Sequence, residues 1–569
     1  MGTHRSSTFV YIRRFSYHSR RPPMLSQILL AVPAAYSVLL VSWHLLRRHL
    51  LAKHSGVRDL PHLQSRRPDK KISGTAVICG GSIAGLLTAR VCHDHFERVV
   101  IVEAEAWVAS EEGRKIDGWN QKMARSRVVQ YTSLHACQSF LYTGLKSLFP
   151  NLEDECRRSD IRVLESNPRF NSSGVLFRIP FSSYKFKLPK TMYLSRSGFE
   201  TFLRRLVLDK DSYPNIELVT GTVTDVLPDP ADHSRLSTVV VRMDSGEQKF
   251  PASLVADCTG PARAGLKWLD RHGYDASGTL PAGKLPLSAL KISYDQKLRY
   301  SSMMFRVNQA WLDRIPLPAD IPNTGAIYTF LEDGVKQGRV FFALTRPDGN
   351  TFVAFVGQHE TSRSMPTNLA ELKVYVEGLN TVQPIPGWVF KVIDMLEEVN
   401  NSSTSVAILK VAPTTYVRYH QATNLPSNWV ALGDSVMTLN PLFAEGCTKA
   451  FKGALALHNV LRAISVNTLP PNFSTKFFEE HFDKTDLMWQ NTRLMDYALP
   501  TTVPLPGESL SSGSSLRWYI SQLQHLAIDD EHAALVLYNS AAGLASPIDA
   551  FHPNLVAKIL WTALVAKVF

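Results

Sequence analysis

Most of the familiar catalytic signatures are missing from this 569-residue sequence. It holds no GxSxG nucleophile turn, no HExxH metal helix and no P-loop, which removes triad hydrolases, zincins and P-loop nucleotide hydrolases as first readings. The six cysteines (Cys79, Cys92, Cys137, Cys156, Cys258, Cys447) are scattered, without CxxC pairs or metal-ligand spacing. Neither a disulfide framework nor a metal site is expected from them. Internal repeats and long low-complexity tracts are also absent, and 45% hydrophobic with 20% charged residues is ordinary for a folded chain. The length exceeds that of a usual single core, so two or more domains are expected.

Acids are absent from the N-terminus, where the first is Asp59. Residues 1–71 carry 13 Lys and Arg against Asp59 and Asp69, so nearly all of the net charge of +12 sits there and the body is close to neutral. That distribution argues against a basic nucleic-acid surface, and no nucleic-acid partner is expected. The same region contains an uncharged run of 25 residues, Pro22 to Leu46, between Arg20–Arg21 and Arg47–Arg48. A bilayer core needs about 20 apolar helical residues, so a single-pass N-terminal membrane anchor is expected. The corresponding location is the endoplasmic reticulum with the catalytic body cytosolic. A cleaved signal peptide or a mitochondrial presequence are the alternatives. Asn171 and Asn401 begin Asn-x-Ser triplets, which arise often by chance.

Beyond the run, Arg47 to Lys71 reads as a basic linker, and the first domain starts near Ile72. Strand-like runs begin at Asn215, Ser237, Phe250 and Asn428, and a helical stretch follows Leu194. Residues 284–410 are richer in alternating strands, with a hairpin turn at Asp348-Gly349. From Pro470 the pattern is mostly helical and ends in PNLVAKILWTALVAKVF, a core helix or a membrane-surface contact. The expected divisions are 1–71, 72–283 and 411–469 for a nucleotide-binding domain in two parts, 284–410 for a substrate domain, and 470–569 for a helical region.

The stretch VICGGSIAGLLTARVCHDHFERVVIVEAEAW, from Val77, reads as strand, glycine turn, helix and second strand. Gly80 allows the tight turn, with Gly81 beside it; position 82 faces a pyrophosphate; Ala84 and Gly85 open the helix, Gly85 permitting close packing. The usual glycine at 82 is a serine, small enough to fit and able to donate a hydrogen bond to phosphate. Glu103 ends the second strand 23 residues after Gly80, where a carboxylate accepts from ribose hydroxyls and repels a 2′-phosphate. Far along the chain, Gly433-Asp434 ends an apolar strand, followed by Asn440-Pro441 and a helix starting near Gly446. An FAD molecule needs such a second segment: a carboxylate for a ribityl hydroxyl, and a helix N-terminus for negative charge on the reduced ring.

Four segments resemble the FAD-dependent monooxygenases of the aromatic hydroxylase type, the group A flavoprotein monooxygenases, including those of fungal specialised metabolism. They are GGSIAG with Glu103, ARSRVVQYTSLHACQSFLYTGLKSLFPNLEDE from Ala124, LVADCTGPARAGLKWL from Leu254, and GDSVMTLNPLFAEGCTKA from Gly433. The resemblance implies an α/β fold: a Rossmann-like FAD-binding domain of the glutathione-reductase type, an inserted mainly antiparallel β-sheet substrate domain and a helical C-terminal region. It also implies that Arg125, with Arg127 nearby, contacts the flavin, that Arg196 opens a helix beside it, and that Asp257 and Gly260 help bind FAD and reduced nicotinamide. Pro441 and Gly446 belong to the loop beside the ring. In such enzymes NADPH or NADH reduces FAD, oxygen adds to form a C4a-hydroperoxide, and one oxygen atom reaches the substrate in a dry cavity.

Two departures stand out. The loop NPxxGxG reads NPLFAEG, so Ala444 replaces a glycine and Glu445 a frequent glutamine, which puts a carboxylate near the ring. No catalytic residue is assigned; His135 and His458 read as structural histidines. A membrane tether and a near-neutral body favour a lipophilic substrate, an aromatic polyketide or terpenoid, as in squalene epoxidases. The alternatives are a flavin-dependent reductase of prenyl double bonds and a non-catalytic, membrane-tethered FAD-binding protein. A halogenase GWxWxIP motif is not matched by GWVFKV at Gly387.

Overall fold

The computed structural model describes residues 24–64, 71–275, 278–319, 325–332, 340–360, 362–399 and 405–568. Arg20, Arg21 and the Asn401 triplet lie outside the described residues.

Near-continuous apolar runs make strands that are buried on both faces. Five of them form a parallel sheet in the order Trp429–Ala431, Leu254–Asp257, Ile72–Cys79, Phe96–Glu103, Ile216–Thr220. The first strand in the sequence is central, with its successors on one side and later strands on the other. Its carboxyl end is therefore the switch point where open α/β sheets form a crevice. Helices Ile83–His93 and Gly446–Arg462 pack on this sheet, with Leu86, Leu87, Phe451 and Leu455 in its core. A three-stranded antiparallel meander, Thr222–Pro228, Leu236–Met243 and Gly246–Pro251, sits beside it.

The second sheet has seven strands in the order Ser405–Lys410, Arg299–Arg306, Thr351–Gln358, Val340–Thr345, Ala326–Leu331, Phe170–Ser172, Val175–Leu176. All neighbours are antiparallel except Ala326–Leu331 with Phe170–Ser172. The hairpin at Asp348-Gly349 is present, with Gly349 at φ +52°. Two strands come from residues 170–176, well before the stretch the sequence pattern marks as sheet-rich. Alternation gives the sheet two different faces. Phe305, Phe342, Leu344, Phe352, Ala354 and Val356 point to one side, under helices Leu369–Glu377 and Gly387–Leu396. Tyr300, Ala343, Val353 and Phe355 point to the other, against Leu134 and Leu442 from loops outside the sheet.

After Pro470 the chain is helical: Phe473–Asp496, Ser514–Leu526, Glu531–Ala541 and Pro553–Val568. The last helix buries Leu555 and Ile559 in a small core with Leu523 and Ala533, while Trp561 is 69% exposed.

The expected single-pass anchor, its membrane partner and its endoplasmic reticulum location are overturned: among the described residues no helix is long and apolar enough to cross a membrane. The physical reason lies in the end of the run. Helix Met24–Leu50 contains Pro33 and closes on Arg47, Arg48 and His49. Trp43 Nε1 donates to the Ile548 carbonyl (3.1 Å), and Arg47 pairs with Asp549 through Nε (2.6 Å) and a second nitrogen (3.1 Å). Tyr36 bonds Asn554. What reads as a linker continues folded: Leu60 and Leu63 are buried, and Lys484 Nζ donates to the carbonyls of Ala52 and Lys53.

Candidate functional site

Steric demands fix the glycine turn. Gly80 lies at φ +120°, and a Cβ there would come within 2.3 Å of the Cys258 carbonyl oxygen; a Cβ on Gly85 would come within 1.8 Å of the Gly80 carbonyl oxygen. The strand thus turns sharply and the helix sits directly on it, leaving first-turn N–H groups without intrahelical acceptors at the positive end of an 11-residue helix. Gly81 N–H donates to Glu103 Oε2 (3.0 Å), and the Glu105 N–H donates to Glu103 Oε1 (3.1 Å).

The second segment meets the first. Gly433 is at φ +65°, and a Cβ added to it would stand 2.6 Å from the Ala84 Cβ. Residues separated by almost 350 positions are therefore in van der Waals contact, and Asp434 opens beside the turn with 45% of its side chain exposed. Lys449, buried one turn into helix Gly446–Arg462, pairs with Asp434 and donates to the Met437 carbonyl. Pro441 and Gly446 flank the loop between them; Pro441 is half-buried and Gly446 exposed.

Several of the expected residues have protein partners in this structure. The Ser82 hydroxyl, expected to donate to phosphate, donates to Glu200 Oε2 (2.6 Å) and accepts from Arg196 Nη2 (2.9 Å). Arg125, expected at the flavin, is enclosed by Glu103 (2.8 Å), Glu105 and Glu200. Arg127 is exposed. Asp257 is fully buried, and its oxygens accept from Thr259 N–H (2.9 Å) and hydroxyl (2.7 Å), Ser435 Oγ (3.0 Å) and Gly265 N–H (3.2 Å). It joins the 257–265 turn to the 433–435 turn, with Gly260 N–H completing the link through Ser435 Oγ (2.9 Å). Burial raises its pKa, against those hydrogen bonds.

The centre of this region is Glu200, a residue not singled out from the sequence. It is fully buried and bonded to Arg196 (2.7 Å), Arg204 (2.5 Å), Arg125 and Ser82. Burial alone would raise its pKa, but Arg196, Arg125 and Arg204 hold it well below the usual carboxylate range. Arg196, Glu200 and Arg204 follow i, i+4 spacing on helix Arg196–Val207, a pattern visible in the sequence. Three arginines against Glu103, Glu105 and Glu200 leave this cluster electrically balanced. An anion at the turn would therefore meet backbone N–H groups and a helix dipole rather than a free guanidinium.

Of the two histidines, His135 is half-buried with Nδ1 on the Ser133 carbonyl (3.1 Å), and burial followed by Arg196 pushes its pKa down to about 4. His458 is a packing group, held between the His62 carbonyl (2.9 Å) and His95 (3.3 Å). Ala444 occupies the left-handed region at φ +56°. Glu445 is half-buried, takes a long bond from Thr492 Oγ1 (3.5 Å), and burial pushes its pKa up to about 7.

The residues present fit FAD on this geometry. The glycine turn is a cradle that a Cβ would fill, Glu103 closes the end of the second strand, and the partly exposed Asp434 follows Gly433, which touches Ala84 of the turn's helix.

No family model matches the chain. Protein Rv3254 of Mycobacterium tuberculosis (strain ATCC 25618 / H37Rv) is 24% identical over 403 residues, covering 68% of this chain and 73% of its own. Among solved structures, a flavoprotein/dehydrogenase from Cytophaga hutchinsonii matches with a TM-score of 0.50 at 12% identity, over 86% of this chain and 100% of its own. The flavin-dependent halogenase CmlS matches with a TM-score of 0.49 at 14% identity, over 88% and 78%. The likeness to the first is one of fold, and the fold class is the expected one: α/β, with a parallel sheet, a mainly antiparallel second sheet and a helical C-terminal region.

Proposed function

We propose that this chain is an FAD-dependent monooxygenase that uses NADPH or NADH and O2 to hydroxylate or epoxidise an apolar small molecule. The observation that carries the reading is the contact of Gly433 with Ala84, which brings a carboxylate turn beside the glycine turn. In this reading residues 72–283 and 411–469 hold FAD and 284–410 present the substrate. Glu103, held by the Gly81 N–H, takes ribose hydroxyls, the N–H groups at the start of helix Ile83–His93 take the pyrophosphate, and Asp434, oriented by Lys449, takes a ribityl hydroxyl. Arg125, Arg196 and Asp257 act one step back, by fixing the turns, and Pro441 and Gly446 bound the loop that covers the ring. FAD, when bound, supplies the two-electron chemistry and the reaction with oxygen.

The apolar substrate now rests on the sheet face rather than on a tether. Tyr300, Phe341, Val353 and Phe355 line the face turned toward Leu134 and Leu442, with the Tyr300 oxygen accepting from Ser133 Oγ (3.2 Å). Such a wall favours flat or aliphatic molecules and excludes water. Glu445, with its pKa raised, is largely uncharged below about 7, which lessens the conflict between a carboxylate and negative charge on the ring.

The test is to purify the full chain, record flavin absorbance, and follow NADPH and NADH oxidation with candidate apolar substrates under isotopically labelled oxygen. Product carrying one labelled oxygen atom is the expected result. Nicotinamide oxidation with product reduction and no oxygen uptake would convert the reading to a reductase; protein that takes up no flavin would end it.

A further inference from the structure

Given the FAD reading above, we infer that Asp496 and His359 are positioning residues for the loop Asn440–Gly446, so that the helical C-terminal region is part of the flavin site. The inference rests on Asn440, which is fully buried just ahead of Pro441. Its Oδ1 accepts from the Leu442 N–H (3.0 Å), which orients the amide and directs Nδ2 the other way. Nδ2 then donates to His359 Nε2 (3.0 Å) and to Asp496 Oδ1 (2.8 Å). An amide nitrogen has two hydrogens, and both are used. Accepting at Nε2 requires a neutral imidazole with its proton on Nδ1.

Each partner is itself anchored. Asp496 closes the 24-residue helix Phe473–Asp496, and its Oδ2 accepts from the Tyr294 hydroxyl (2.8 Å) while its carbonyl accepts from Thr502 Oγ1 (2.8 Å). His359 follows strand Thr351–Gln358 of the substrate sheet, and its carbonyl accepts from Thr501 Oγ1. Tyr294, His359, Asn440 and Asp496 are all buried. On the same side, Gly357 lets the loop approach: a Cβ there would lie 2.8 Å from Leu442 Cδ2. One amide thus locks the loop to the substrate sheet and to the C-terminal helix together. A buried network of this kind specifies one geometry only while every member is satisfied. Asp496 touches neither cofactor nor substrate in this account and acts through the loop.

The experiment compares wild type, Asp496→Leu, Asp496→Asn and Tyr294→Phe as full chains, measuring FAD affinity, the visible flavin spectrum, the flavin midpoint potential and thermal unfolding. Asp496→Leu is expected to weaken FAD binding by about tenfold or more and to blur the resolved flavin bands. Asp496→Asn is expected to restore most of both, since an amide can offer its oxygen to Asn440 and its nitrogen to the Tyr294 oxygen. Tyr294→Phe changes almost no volume and is expected to shift the spectrum and potential and to weaken FAD by roughly threefold. Wild-type affinity and spectrum in a folded Asp496→Leu protein would overturn the inference alone. Should that variant not fold, an unchanged spectrum, potential and affinity in Tyr294→Phe would overturn it. A wild type that takes up no FAD would overturn the functional reading first, and this inference with it.

Discussion

Glu200 is bonded to Arg196, Arg204, Arg125 and Ser82, whereas Asn440 is bonded to His359, Asp496 and the Leu442 N–H. The first network is ionic and built around one helix with i, i+4 spacing. The second is centred on a neutral amide and draws on three remote parts of the chain. Both are buried, yet they differ in what failure would cost. Removing Glu200 from the ion cluster leaves uncompensated charge, whereas removing His359 or Asp496 from around Asn440 leaves an unsatisfied amide N–H. The ionic network therefore bears chiefly on stability and the amide network on geometry.

The largest expected effect tests that division. Glu200→Gln should destabilise the protein by about 3–5 kcal/mol, because three buried guanidinium groups lose their shared counter-charge. Chemical denaturation reads this directly. A loss under about 1 kcal/mol would mean the cluster is solvated and the contrast false. The pH dependence follows with its sign: the folded pKa of Glu200 is depressed, so its contribution is complete above the ordinary value of about 4.3 and is lost as pH falls below it.

Ser82→Gly restores the usual turn residue and removes one hydrogen bond to Glu200. A loss of about 1–2 kcal/mol is expected, since the acceptor is charged, with FAD affinity nearly unchanged because the hydroxyl faces Glu200. Weaker FAD binding at constant stability would instead return the hydroxyl to the phosphate.

Glu445 carries the opposite pH sign. Its folded pKa is raised by burial to about 7, so stability should fall as pH rises from about 4.3 toward that value. Glu445→Gln should flatten this slope; a stability–pH curve identical to that of wild type would contradict the burial described for it. The smallest effect is expected at Ala444, held at φ +56°. Ala444→Gly should relieve about 1 kcal/mol of left-handed strain and lose part of it to unfolded-state entropy, a net gain of about 0.5 kcal/mol measurable in the melting temperature.

Local sterics made much of this legible. A glycine that must turn a strand, an acid closing the next strand and a carboxylate after a later strand are set by short-range geometry, so Gly80, Gly85, Glu103 and Asp434 could be picked out before any fold was seen. Glu200 was legible in principle, yet a charged ladder on a helix more often lies on a solvated face. Asn440 belonged to the segment read from the sequence, but its joining to His359 and Asp496 was not legible, since 81 and 56 positions separate the amide from its partners and only tertiary packing joins them. The short strands at 170–176 carry too little pattern to announce that they complete a distant sheet. At the N-terminus, counting apolar residues led to the wrong outcome: run length registers neither Pro33 nor the grip of Trp43 and Arg47 on the chain near Ile548 and Asp549.

The touch between Ala84 and Gly433 makes one methyl group a spacer between two turns at the edge of the same parallel sheet. A larger side chain at either place would wedge the two turns apart and misalign everything bound across them. Among relatives, bulk at 84 and at 433 should therefore be mutually exclusive, a covariation that needs no ligand to be observed.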